Sequence, residues 1–487
     1  MAKYSRSALS MKESLKEINE QKAEKFLNTF YFQYGHRSIA DLAHIAFAIE
    51  KLSILAAIVL VDEQRWDGQE RSTRYQDFKR SGYYTPEFGD DDESRRLYRE
   101  TVEFLFSEYE EISELMWRSL AERTPKPDDM KPEAYERTLR ARAFDISRYL
   151  LPLATNTSLG QIVNARTLEA QISRLLSHTH GEVRALGELL KEAAREPAYN
   201  VSQASFRELV EQIRALNPEL GRRAESLLLK EVRVSPTLVK YANASDYETG
   251  TRKELTQAAR ELMKEAAIEP AKTVELLDDD PLELELPTTL LYQHCHYSYP
   301  QVRQRVESLS PRQREEVIEL GVKHRSRHDE LLRAYCAGQR FRFDILMDVG
   351  GFRDMHRHRR CVQILQPFAG TLHAYETPDD LAGAGLRKRY DAAMQKVRDA
   401  ERRFRMPTGP EGASDYMVPL AFRCRALFKM DLAEAVYISE LRTTPAGHFS
   451  YRNVGYAMYE EVARRHPALA RYFRVSDVRE PVDLLKR

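Results

Sequence analysis

Gln69-Glu70-Arg71-Ser72-Thr73-Arg74-Tyr75 sets a carboxylate, two hydroxyls, two guanidiniums, an amide and a phenol side by side, with no aliphatic residue among them. Upstream lies the small apolar run Leu52 to Val61, and downstream the turn signal Gly82-Tyr83-Tyr84-Thr85-Pro86. A dense polar cluster held between a buried helix and a tight turn has the make-up of an anion-binding loop. Arg74 can fork onto a phosphate while Ser72 and backbone N–H groups supply further donors. The competing reading is an ordinary solvated loop.

Around this stretch the chain of 487 residues has room for two to four domains. Lys plus Arg and Asp plus Glu both number 75, a balance that argues against a whole-surface nucleic-acid binder. The four cysteines all follow residue 290 and are not in paired spacings, which fits a reducing compartment without a disulfide framework. The start, Met1-Ala2-Lys3-Tyr4-Ser5, has no apolar signal region. No run approaches the roughly 18 apolar residues of a membrane span. A cytoplasmic protein with neither membrane nor nucleic-acid partner is expected.

The pattern is mainly helical. A polar lead-in helix is expected over Met11 to Phe30, then an apolar helical region from Ile39 to Val61, broken near Ser53. Further helices are expected over 94–123, Glu133 to Tyr149, Leu159 to Leu176 (capped by Thr155-Asn156-Thr157-Ser158), and onward from His178. Residues 232–290 read as a seam containing one helix, Glu254 to Ala267. Beyond it, earlier features return in weakened form. Phe343-Asp344-Ile345 echoes Phe47-Ala48-Ile49, and Gly447 to Arg452 echoes Gly181 to Arg184. Self-similarity on the scale of half the chain points to a tandem duplication, with domains over 1–240 and 241–487.

The second half carries its own polar run, Arg353-Asp354-Met355-His356-Arg357-His358-Arg359-Arg360, where Arg357 and Arg359 can clamp an anion and His358 can bond a heterocycle. A solvated basic helix end is the plain alternative. Metal binding is a weaker use of His294, His296, His324, His328, His356 and His358, because arginines crowd these sites, so no metal is expected. Cys361 is a weaker candidate still, as a nucleophile whose thiol the arginines would acidify. No Gly-x-Gly-x-x-Gly opens a helix and no Walker loop is present.

Residues 30–200 resemble the flavin-dependent thymidylate synthase (ThyX) family. Gln69-Glu70-x-Ser72-x-Arg74-Tyr75 matches the end of its Arg-His-Arg-x-x-Ser-x-Asn-Glu-x-Ser-x-Arg-Tyr motif. Around it fall Gly35-His36-x-Ser38, Phe47-x-Ile49 with Ser53, Tyr84-x-Pro86, Arg148 before Leu151-Pro152, Asn164-x-Arg166-x-Leu168 and Glu182-Val183-Arg184, in the family's order. There are departures. Asp62-Glu63-Gln64 stands at the Arg-His-Arg positions, Asp67 replaces a Ser and Ala170 a His. From about 290 to 475 the pattern repeats with Arg357-His358-Arg359 kept, but Val362, Ile364, Leu365 and Pro367 follow in place of polar residues.

The resemblance implies an α/β (α+β) protein of two ThyX-like domains, each a curled antiparallel sheet flanked by long helices. It implies methylation of dUMP at C5 with methylenetetrahydrofolate and FAD, NADPH being the hydride source. Ser72, Arg74, Arg148 and Arg184 would hold the nucleotide. Ser38, Glu70, Asn164, Arg166, Arg357, His358 and Arg359 would face the flavin, and no covalent nucleophile is expected. Each half lacks what the other keeps, so the sites are expected to be composite, in a homodimer that mimics the family's tetramer. Arg74→Ala is expected to abolish nucleotide binding and leave the fold intact. A non-catalytic nucleotide- or flavin-binding relative and a synthase shifted to another pyrimidine are the alternatives.

Overall fold

The computed structural model describes residues 37–485 except 232–233, 235–236, 238, 241, 327–328, 330 and 405–411, and also residues 10, 12–13 and 16. The lead-in helix lies almost wholly outside the described residues, as do Gly35, His36 and His328.

Two stretches expected to be helical are strands. His44–Ser53 (β1) pairs antiparallel with Asn156–Asn164 (β3), and Asp67–Glu70 (β2) pairs with the other edge of β3. The cause is the side-chain period. Ile45, Ile49, Leu159, Gln161 and Val163 are buried, whereas the alternate residues Ala46, Ala48, Gly160 and Ile162 are exposed. That is the two-residue period of a pleated strand. Lys51, at φ 59°, bulges from β1 and shifts the register between Glu50 and Leu52.

Ser53 caps the short helix α1 (Ile54–Leu60), accepting the Ala56 N–H at 2.9 Å. The helices α2 (Asp92–Arg123) and α3 (Pro132–Ser147) lie close to their expected places. Next comes α4 (Ala165–Leu176), capped by Asn164 and not by Thr155 to Ser158, and then α5 (Gly181–Arg195).

Between the copies stand a helical hairpin, α6 (Gln203–Leu216) and α7 (Pro218–Leu228), and the helix α8 (Asp246–Leu262), which begins eight residues before the expected Glu254. The second copy carries β4 (Val274–Leu276), β5 (Phe341–Asp348), β6 (Val362–Leu365) and β7 (Arg423–Met430), antiparallel in the order β4-β5-β7-β6. Its helices are α9 (Leu282–Tyr292), α10 (Tyr299–Glu307), α11 (Pro311–Leu320), α12 (Val349–Met355), α13 (Arg387–Arg403), α14 (Leu432–Thr443) and α15 (Phe449–Arg465).

The two copies meet around an approximate two-fold axis. The Leu153 N–H donates to the Val418 carbonyl at 2.9 Å, and the Leu420 N–H to the Leu151 carbonyl at 3.0 Å. Residues 153 and 420 are 267 apart, and so are 151 and 418, so each bond is the other's mate. The helix caps repeat the relation. Glu182 accepts from the Ser53 N–H (2.8 Å) and hydroxyl (2.6 Å), while in the second copy the Ser450 hydroxyl bonds Asp348, the cap of α12. Acid and hydroxyl have changed places between the copies. One apolar core runs through both, with Leu55, Tyr98 and Tyr149 in the same cluster as Phe352, Tyr390 and Phe422. Among the described residues no helix is long and apolar enough to cross a membrane.

Candidate functional site

β2 ends at Glu70, and its ladder runs one step further, the Arg71 N–H donating to the Ser158 carbonyl at 2.9 Å. The chain then turns at Ser72, whose hydroxyl accepts the Arg74 N–H at 3.2 Å. This turn delivers Arg74 into the interior, 7 % exposed. Four hydrogen bonds to protein occupy its guanidinium. Two go to Asp145 of α3 (2.7 and 3.3 Å), one to the Tyr451 hydroxyl of α15 (2.8 Å) and one to the Ala446 carbonyl (3.2 Å). Arg74 is thus a tie between the two copies.

Arg148, just after α3, is 2 % exposed and less committed. Its Nη1 lies 3.5 Å from the Thr73 hydroxyl and 3.6 Å from Asp354, and its Nε and Nη2 are buried without a hydrogen-bond partner. Unmade donors on a buried guanidinium are costly unless something fills them. Gly350, at the start of α12, lies against Arg148, and a Cβ there would make ordinary contact with Nη2 at 3.6 Å.

The second copy brings the rest. Arg353 of α12 pairs with Glu70 and leaves its buried Nε unmatched. Arg357 lies 3.6 Å from Asp354 with half its side chain in solvent. Burial opposes ionisation of Asp354, but Arg148, Arg357, Arg74 and Arg442 outweigh it and hold the carboxyl below its ordinary range. His448 donates from Nε2 to the Asp145 carbonyl (2.9 Å) and accepts the Ser450 N–H at Nδ1 (3.3 Å). Burial, with Arg148 nearby, pushes it down to about 3, so it is a neutral strut. Five arginines (74, 148, 353, 357, 442) thus stand about the carboxylates of Glu70, Asp145 and Asp354.

Of the residues expected at the nucleotide, Ser72, Arg74 and Arg148 come together here. Arg184 does not join them: it is exposed and donates to the His178 and Thr179 carbonyls (2.9 and 2.6 Å). Its counterpart Arg452, whose Nε donates to the Thr443 carbonyl at 3.1 Å, sits on the helix that carries Tyr451.

The residues expected at the flavin divide into two groups. Asn164 caps α4, Arg166 lies 3.7 Å from Asp41, and Ser38 belongs to the same 3-10 turn as Asp41 (Arg37–Leu42). Glu70, Arg357, His358 and Arg359 stand at the other place, and three of them are engaged by protein. Glu70 holds Arg353. His358, 5 % exposed, accepts from Arg442 at 2.8 Å, and burial lowers its pKa. Arg359 donates to the Val61 carbonyl and stacks on Trp66 at 5.0 Å.

Asp62, Glu63 and Gln64, at the first copy's Arg-His-Arg positions, line a cavity of about 10 Å³ with Arg333, His356, His358, Arg359 and Cys361. A flavin does not fit there, since small-molecule sites measure about 300–1,000 Å³. Cys361 has no acidic thiol: burial pushes it up to about 12, overriding the arginines expected to lower it. Among the histidines weighed as metal ligands, His294 bonds Thr256 and His324 bonds Glu254. Among the described residues no three His, Cys, Asp or Glu side chains come together to hold a metal ion.

The two-fold axis generates a second, altered constellation. Asp415 occupies the place of Arg148, each carbonyl accepting the N–H three residues on (Val418 and Leu151), and it pairs with His180 at 3.1 Å. Asp62 follows the cap Ser53 by nine residues, as Arg357 follows the cap Asp348. The loop after β6 reads Gln366-Pro367-Phe368-Ala369-Gly370, with neither hydroxyl nor guanidinium. The set of hydroxyl and guanidinium groups supplied by Ser72, Arg74 and Arg148 is therefore present on one side only. Asp145, Asp354, Arg353, Arg442, Tyr451 and His448 were not singled out individually from the sequence. Arg353, Asp354, His448 and Tyr451 carry only the signal of the runs Arg353 to Arg360 and Gly447 to Arg452, and Asp145 and Arg442 carry none.

The profile of the family described as thymidylate synthase complementing protein matches residues 1–198 and again 284–468. A UPF0159 protein of Chlamydia muridarum is 29 % identical over 473 residues, covering 95 % of this chain and 83 % of its own length. Another, from Thermoplasma acidophilum, is 26 % identical over 497 residues, covering 95 % and 90 %. A flavin-dependent thymidylate synthase of Clostridium tetani is 29 % identical over 168 residues, 34 % of this chain and 64 % of that enzyme. Matched twice along its length, the chain belongs to the thymidylate synthase complementing protein family as a tandem duplication of two diverged copies.

Proposed function

We propose that the chain is a thymidylate-synthase-type protein holding one dUMP between its two copies and methylating it at C5, with methylenetetrahydrofolate as carbon donor. The observation that carries this is Arg148, buried with its Nε and Nη2 unmade beside the half-exposed Arg357. A phosphate or a pyrimidine carbonyl supplies the acceptors that these donors lack. Arg74 acts as a positioning residue: through Asp145 and Tyr451 it fixes α3 against α15 and so fixes Arg148. Asp354 keeps the guanidiniums apart and preorganised while the site is empty.

FAD and NADPH belong to this reading through the family resemblance. The cavity of about 10 Å³ beside His358 and Arg359 favours a flavin shared with a second chain. The engagement of Glu70, His358 and Arg359 by protein favours a second reading, a nucleotide-binding relative without catalysis.

Calorimetry with dUMP on the full chain tests the site: one nucleotide per chain is expected, and none or two overturns the composite site. Incubation with dUMP, methylenetetrahydrofolate, NADPH and FAD separates the two readings. Thymidylate formation supports the first, and binding without turnover supports the second. Turnover of a different pyrimidine nucleotide would assign a shifted substrate.

A further inference from the structure

The hairpin α6–α7 lies outside both segments matched by the family profile. Asn217 builds its turn, accepting the Glu219 and Leu220 N–H groups at 3.0 Å each. Gly221 sets the close packing, because a Cβ there would stand 2.5 Å from the Arg214 Cα. Of the two helices only Val210 and Gly221 are fully buried. Arg214 staples the pair with bonds to Glu211 (2.6 Å) and Glu225 (2.7 Å).

The leucines are left outside. Leu209 and Leu216 stand seven residues apart on α6, exposed by 44 % and 89 %, and Leu220 and Leu227 seven apart on α7, exposed by 53 % and 70 %. Seven residues is two helical turns, so each pair shares one face of its helix. Leu216 and Leu220 flank the turn, and Leu209 and Leu227 lie one heptad further from it. A two-helix hairpin that exposes four leucines leaves apolar surface in water that a partner can cover.

We propose that this leucine surface docks against the same surface of a second copy of the chain, forming a four-helix bundle around a two-fold axis. The charge pattern selects the occupant. From Gln203 to Leu229 there are four arginines (207, 214, 222, 223) and four glutamates (208, 211, 219, 225). A surface without net charge and with both signs interspersed complements itself, as a two-fold contact requires. It lacks the basic excess that an anionic membrane or a nucleic acid demands. Heptad-spaced leucines are the residues that interdigitate when four helices pack.

The test uses the full-length chain. Sedimentation velocity over a hundredfold concentration range is expected to show twice the 56.5 kDa chain mass, or an even multiple of it. Leu216→Glu with Leu227→Glu should halve that mass, or weaken association at least a hundredfold, with the circular dichroism spectrum unchanged. Both positions are solvent-exposed in the single chain, so the substitutions have no buried partner to disturb. As a second readout, Leu220→Cys should give an interchain cross-link with a bis-maleimide, and Glu93→Cys on α2 should not.

A wild-type monomer throughout the range overturns the proposal. So does a mass that both glutamates leave unchanged, or a cross-link no stronger from Leu220→Cys than from Glu93→Cys. Flotation with phosphatidylserine–phosphatidylcholine vesicles that is lost in the double variant would assign the surface to a membrane and overturn it as well.

Discussion

Arg74→Ala leaves Asp145 buried without its two-pronged partner and Tyr451 without a donor. Breaking a buried pair from one side costs about 3–5 kcal/mol. The variant is expected to unfold at markedly lower urea, against the intact fold that the sequence alone suggested. Arg148→Met separates binding from stability. Asp354 keeps Arg357 as an ion-pair partner, so the urea midpoint should move less, while the dUMP dissociation constant rises about a hundredfold with the loss of two charged hydrogen bonds.

Asp348 gives a pH signature. Burial raises its carboxyl to about 6 against the Ser450 and Gly351 hydrogen bonds that lower it. The folded state therefore binds its proton more tightly than the unfolded chain. The stability it contributes is complete below about pH 4 and is lost as pH rises to about 6, roughly 3 kcal/mol in all. Asp348→Asn should be more stable than wild type at pH 7 and the difference should shrink toward pH 4, as read from urea midpoints. A difference independent of pH would show that Asp348 does not titrate in this window.

Gly351, in the first turn of α12, lies under Ser450 of α15, and a Cβ there would meet the Ser450 Oγ at 2.7 Å and the Met347 Cε at 2.9 Å. Overpacking of this kind typically costs about 1–3 kcal/mol. Gly351→Ala should lower the melting temperature, and Ser450→Ala should restore part of the loss in the double variant, a coupling read from the four-protein cycle.

Elements were unevenly legible in the sequence. Long amphipathic helices such as α2 and α5 showed their 3.6-residue period. β1 and β3 did not, because Ile39 to Val61 is apolar enough to satisfy both periods and only the outward alternation of Ala46, Ala48, Gly160 and Ile162 distinguishes them. The half-motifs at Arg74 and Arg357 were legible as unusual polar runs. The partners of Arg74, Asp145 and Tyr451, are not, since each looks like an ordinary residue of an amphipathic helix until the chain folds back over 71 and 377 positions.

In the whole molecule, the continuous core and the antiparallel bridge between Pro152 and Pro419 join the copies. Residues 1–240 and 241–487 expressed separately should aggregate, because each half exposes the surface that the other covers. Co-expressed, they should co-purify as a soluble pair, detectable by a tag on either half. Two soluble, monomeric halves would show that the copies are independent domains.

The Asp62 cavity gives that dependence a polarity. Asp62 faces Arg333 and His356, and Glu63 pairs with Arg174 near Arg359. Two first copies would bring Asp62 without Arg333 and His356 of the second, and two second copies would bring Arg333 without Asp62. Either like pairing leaves a charge without its partner, so the contact favours the unlike copy. A gene encoding only one half would have no partner to select but the other half, and the fused chain keeps that partner within reach at every round of synthesis.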